Sequence, residues 1–226
     1  MRAVLAGWLK LSLPATDNPS MADVPCYKGS VIASLVRELN KHFDCGEITR
    51  AEAERYLEPQ DFDLLEGVVM PSQLYPLESY ARMCELQLQT IGNGSIDFLK
   101  EKGRQTAIAL IDGMGLYAQL NHADNAEVAR KADATERYEA FGRDLELMNT
   151  IMGSIGNFGA MKTYADPDHP GRRWVSEQQT PAEYTDALVW RAAGFRNEMA
   201  RRHGHDNLWS WTRQPGVIVW KMTRDL

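Results

Sequence analysis

Apolar residues recur at intervals of three and four along most of the chain and switch to alternation only in its last third. From Lys28 to Phe43, the residues Val31, Ile32, Leu35, Val36, Leu39 and Phe43 form one stripe, which predicts an amphipathic helix stopped by Cys45-Gly46. Thr49 to Glu52 reads as a capping box opening a short helix to Leu57, and Pro59 opens another turn with Phe62, Leu64 and Leu65 buried. Met70 precedes Pro71 and so favours extended backbone, while Pro76 suits the first turn of a helix with Leu77, Tyr80, Ala81, Cys84, Leu88 and Ile91 on one face. Asn93-Gly94-Ser95 reads as a turn and cap before a longer helix running to Leu120. In that helix the small residues Gly103, Ala107 and Gly115 permit close approach by another helix. Residues 124–133 are polar, an exposed helix or a linker, and residues 135–152 form a further amphipathic helix.

After Gly153 the character changes. Residues 158–164 and 173–177 are strand candidates joined by the turn sequence DPDHPG. A helix from Pro181 to about Arg202 follows, with Tyr184, Ala187, Leu188, Arg191, Phe195 and Met199 in its stripe. The chain closes on a hairpin, NLWSWTR and VIVWKM around Gln214-Pro215-Gly216. Helices first, then strand pair, helix and strand pair, is an α+β order. The economical solution is a helical N-terminal half packed on a small antiparallel sheet of about four strands, with one long helix between the strand pairs. No linker divides the chain, so residues 21–226 read as one domain.

The 226 residues, 44% hydrophobic and 25% charged, fit a globular protein with a full core. A net charge of −6 argues against a nucleic-acid partner, and Arg201, Arg202 and His203 read as complements to a helix C-terminus. Cys26, Cys45 and Cys84 are odd in number and widely spaced, which fits a reducing, cytoplasmic location. No apolar run approaches the roughly 20 residues of a membrane span. Residues 1–20 carry a short apolar core broken by Lys10; they read as a disordered extension or mis-called start rather than an export signal.

Local motifs for chemistry are absent. GSIGNFG at 153–159 is not followed by a helix and so does not build a phosphate cradle. Among five histidines, the pair His203 and His205 sits where a helix should end, a cap and exposed loop rather than a metal site. Arg104 lies beside the inner stripe of its helix; it is a candidate to hold a ligand carboxylate or phosphate, or to pair with Glu78 or Glu85. Tyr75, Tyr80, Tyr117, Trp209, Trp211 and Trp220 give an aromatic interior on which a planar ligand could stack, or which simply packs the core.

Tyr27-Lys28-Gly29-Ser30, Met70 to Pro76, Tyr80 to Glu85 and Leu99 to Thr106 match in order the "VKGS", "LPSxWYP", "Y-R-L-E" and "LxELGRxSA" segments of a myxobacterial-type family. Residues 25–115 resemble that family, which is similar to the fold shared by haem-nitric-oxide-binding sensors, 4-vinyl-reductase-type (V4R) domains and Bet3-like subunits. The resemblance implies a cavity between helices and sheet, used in relatives for haem, lipid or aromatic ligands, and a homodimer through the N-terminal helices. Haem sensors of this kind carry a Tyr-x-Ser-x-Arg signature that this chain lacks, and His122 is the one histidine the resemblance offers as an axial ligand. Zinc-binding V4R relatives use cysteines near the C-terminal hairpin, where this chain has none.

The expectation is therefore a non-enzymatic sensor or adaptor, without haem or metal, binding a small apolar or aromatic ligand or a partner protein. Its candidate ligand residues are Arg104, Tyr75, Tyr80 and Tyr117. The alternatives are an enzyme assembled from residues such as Arg104, Tyr75 and Glu78, and a purely structural interaction subunit with a filled core.

Overall fold

The computed structural model describes residues 24–112, 127, 130 and 133–226. The elements run β1 (Cys26–Lys28), α1 (Gly29–Asp44), α2 (Arg50–Ala53), α3 (Pro59–Glu66), β2 (Leu74–Pro76), α4 (Leu77–Thr90) and α5 (Ile96–Asp112). They continue with α6 (Ala134–Ile155), β3 (Met161–Ala165), β4 (Trp174–Gln179), α7 (Asp186–Arg202), β5 (Trp209–Gln214) and β6 (Val217–Met222). This is the α+β order expected, with α7 between the two strand pairs. Residues 113–120 of the long helix expected after Ser95, and most of the 124–133 segment, fall outside the described residues.

The last four strands form one antiparallel sheet in the order β3-β4-β6-β5. Its register places Met161, Gln178 and Ile218 in one row and Thr163, Ser176, Trp220 and Trp211 in the next. Ile218, Trp220 and Met222 are buried on one face, as the hairpin sequence predicts; on the other face Lys221 is exposed while Val219 is buried as well. Helices α6 and α7 cover the first face. The Phe141 ring of α6 packs on Trp209, and Trp190 of α7 meets Trp211 edge-on at 4.9 Å.

A second pairing, β1 with β2, is not visible as periodicity because each strand has three residues. It sets Tyr27 opposite Tyr75 and launches α1 and α4 side by side. Two of the segments that carry the family resemblance thus meet in space. A Cβ on Gly29 would sit 2.2 Å from the Met70 carbonyl, so only glycine admits this approach.

Two boundaries differ from the sequence expectation, each for a local reason. The strand expected at 158–164 begins at Met161. Asn157 is drawn instead to β1, accepting from the Cys26 amide at 2.7 Å and donating to the Val24 carbonyl at 2.8 Å. The helix expected from Pro181 begins at Asp186. Residues 181–184 form a turn, closed by the Tyr184 N–H to the Pro181 carbonyl, that carries the Tyr184 ring into the core at 2% exposure. The Thr49/Glu52 capping box of α2 is present as the sequence predicts.

The tightest packing joins α5 to α7. A Cβ on Gly103 would lie 1.8 Å from the Arg191 carbonyl oxygen, and one on Gly194 would lie 1.9 Å from that of Lys100. The helices therefore touch backbone to backbone at two points, as the small residues of α5 suggest. Gly103→Ala should destabilise despite alanine's higher helix propensity. The propensity gain is about 1 kcal/mol, whereas overpacking against backbone that cannot rotate away costs about 3 kcal/mol or more. Gly194→Ala should cost a similar amount. Once one alanine has parted the helices the second meets less resistance, so urea unfolding of the double variant should show less than the summed loss. Additivity within about 0.5 kcal/mol would mean that the two contacts are independent.

Candidate ligand cavity

Between the helical half and the sheet lies a mostly apolar cavity of about 130 Å3. Its floor is the sheet row that carries Met161 and Gln178, together with Tyr184. Met148, Met152 and Ile155 of α6 form one wall; Leu188, Arg191, Ala192, Phe195 and Arg196 of α7 form another. Tyr27, Val31, Tyr80, Gly103 and Thr106 complete it, with exposed Thr106 at the rim. Gly103 and Ala192 leave room that larger side chains would fill. Three methionines supply flexible walls able to adapt to a guest.

The polar groups on the wall are donors or neutral. Tyr27, Tyr80 and Tyr184 are buried. Burial pushes all three phenols above their ordinary range, so they stay protonated at neutral pH. Burial likewise raises the Cys84 thiol, which lies against Tyr80 and Arg191. Arg196, 3% exposed, sits over the Trp220 ring at 4.6 Å and donates to Ser176 Oγ at 3.4 Å. Arg191 donates to the Gln87 amide oxygen at 3.2 Å and lies 5.7 Å from the Tyr80 ring centroid. No aspartate or glutamate is among the described residues that line the cavity.

The residues singled out from sequence separate. Tyr80 lines the cavity. Tyr75 does not; its hydroxyl accepts the Met70 N–H at 2.9 Å and holds the turn before β2. Arg104 pairs with neither Glu78 nor Glu85. It makes a two-pronged bond to Glu101, one turn back on α5, at 2.6 and 2.7 Å, with its side chain 43% exposed. Glu78 engages Arg82. The three residues of the enzyme alternative are thus each held elsewhere. Tyr117 and His122 lie outside the described residues. Trp209 and Trp220 pack the core beneath Arg196 rather than facing the cavity.

His203 departs from the exposed-loop expectation. It is 3% exposed, its Nε2 lies 2.7 Å from a carboxylate oxygen of buried Asp144, and its ring packs on Phe141. Helix α7 ends at Arg202, but the closing turn folds His203 under α6, where Asp144 meets it. Arg201 and Arg202 both reach back to buried Glu198, at 2.7 and 3.3 Å, rather than forming a free basic patch. Among the described residues no three His, Cys, Asp or Glu side chains come together as a metal site.

Comparison with solved structures then places the architecture. A crystal structure of an Fe(II) unliganded mutant H-NOX protein from K. algicida superposes with a TM-score of 0.53, covering 88% of this chain and 96% of that one. The chain has an H-NOX-like fold. At 9% identity the likeness extends to the fold alone. No family model and no curated protein sequence matches the chain. Arg191 and Tyr184, which the sequence reading places in a helix stripe but not among the candidate ligand residues, both line the cavity. Arg104 lies beside the apolar stripe of its helix, whereas Arg191 lies in the stripe of α7 and lines the cavity.

The phenols give a pH test of this wall. A group whose pKa is raised in the folded state contributes stability that is intact below its unfolded value, about 10 for tyrosine, and is lost as pH rises through the folded value. Followed by near-ultraviolet phenolate absorbance, Tyr27, Tyr80 and Tyr184 should ionise only as the fold is lost at high pH. A single reversible step near pH ~10 covering all eight tyrosines, with circular dichroism intact, would contradict this arrangement.

Proposed function

We propose that this chain is a haem-free sensor or adaptor domain whose cavity takes a small apolar or aromatic ligand. The observation that carries the reading is the mostly apolar cavity held between helices and sheet in an H-NOX-like fold. Its volume, about 130 Å3, is close to that of an engineered cavity that stays dry and binds benzene. It is well under the roughly 300 Å3 at which drug-sized pockets begin, and a porphyrin needs several times more. Among the described residues the wall offers no histidine. Its phenols resist the ionisation that a tyrosinate ligand requires. These residues do not fit a haem, and the reading assigns none. Kinship with the V4R and Bet3-like domains, a homodimer through the N-terminal helices and a cytoplasmic location belong to the same proposal. Among the described residues no helix is long and apolar enough to cross a membrane.

One observation favours the structural-subunit alternative, namely that the cavity is smaller than ordinary ligand pockets. Thermal unfolding with toluene separates the two readings. A ligand present at about ten times its dissociation constant stabilises by about 1.4 kcal/mol, a rise of about 3–5 °C for a domain of this size. The sensor reading expects that rise in the wild type and its loss in Ala192→Phe, whose ring fills the cavity. No rise in the wild type would favour the structural subunit.

A further inference from the structure

We infer that the cavity is built for a small monocarboxylate, an aromatic or branched acid whose anionic head is bound by Arg191 while its apolar body lies among the methionines. This inference rests on the ligand-binding reading above and adds the charge of the ligand. A guanidinium is always ionised, and one that lines a mostly apolar cavity, as half-buried Arg191 does, normally finds a carboxylate. The partners of Arg191 among the described residues are neutral, namely the Gln87 amide oxygen, the Cys84 thiol and the face of Tyr80. Glu38 acts on it electrostatically but is ion-paired to Lys102. Arg104, by comparison, is fully matched by Glu101.

The rest of the wall agrees in sign. Three protonated phenols and a second guanidinium, Arg196, line the same space with no carboxylate among them. Among the described lining residues a cation would meet two guanidiniums and no carboxylate. A neutral hydrocarbon would leave Arg191 with only the Glu38 carboxylate, which it shares with Lys102. A carboxylate on an apolar body satisfies both halves of the wall, with Tyr80 beside Arg191 as a further hydroxyl donor.

The experiment is calorimetric titration of the full chain with benzoate and, separately, with toluene. Benzoate should bind the wild type at least about tenfold more tightly than toluene. Arg191→Met should lose about tenfold or more in benzoate affinity while toluene binding is kept, and Arg191→Lys should recover part of the loss. Toluene binding equal to or tighter than benzoate overturns the inference and leaves the ligand-binding reading standing. Benzoate affinity unchanged in Arg191→Met also overturns it. Failure of both probes to bind the wild type overturns the inference and the ligand-binding reading together. Should Arg191→Met fail to fold, the comparison of the two probes on the wild type still decides.

Discussion

The backbone contact between α5 and α7 is the constraint on which the rest depends. Gly103 and Gly194 each face a carbonyl of the other helix at a separation that admits no side chain. Contact this close aligns two long helices over several turns and allows weak Cα–H to carbonyl bonds across the joint. It also fixes which residues of α7 face inward. With Gly194 against Lys100, the flanking Arg191, Ala192, Phe195 and Arg196 are delivered to the space between helices and sheet.

The cavity follows from the same feature. Glycine on one helix and alanine on the next give close approach but little bulk beside it. Three methionines stand among the lining side chains. Such a space costs dispersion energy if left empty, because its lining atoms lack partners. The cost is offset elsewhere in the core by aromatic packing, in which Trp190 of α7 meets Trp211 and Trp211 meets Trp220. Charge is distributed on the same plan. Carboxylates sit outside the cavity in matched pairs, as in Asp61 with Arg82 and Glu198 with Arg201 and Arg202, while the cavity keeps donors.

Much of the fold is legible in the sequence because its signals are local. The two-residue alternation of VIVWKM, the Pro215-Gly216 turn and the stripes of α1 and α4 each depend on neighbours within one element. The close helix contact is foreshadowed by Gly103 and Ala107 in α5. The β1–β2 ribbon is not legible, since three residues carry no period, and the diversion of Asn157 toward Cys26 depends on a partner 131 positions away. The candidate site is least legible of all. Its residues come from nine places along the chain. An arginine in or beside an apolar stripe is a signal in both helices; whether a carboxylate stands one turn away on the same face separates them. Glu101 answers Arg104, and no acidic residue of α7 is bonded to Arg191.

The most direct test of the account is xenon binding followed through the methionine methyl resonances. Xenon enters apolar cavities and shifts the nuclei it touches. The account predicts shifts confined to Met148, Met152 and Met161, which line the cavity, with Met83, fully buried but away from it, unmoved. Shifts at none of the three, or an equal shift at Met83, would show that the space between helices and sheet is not the cavity described.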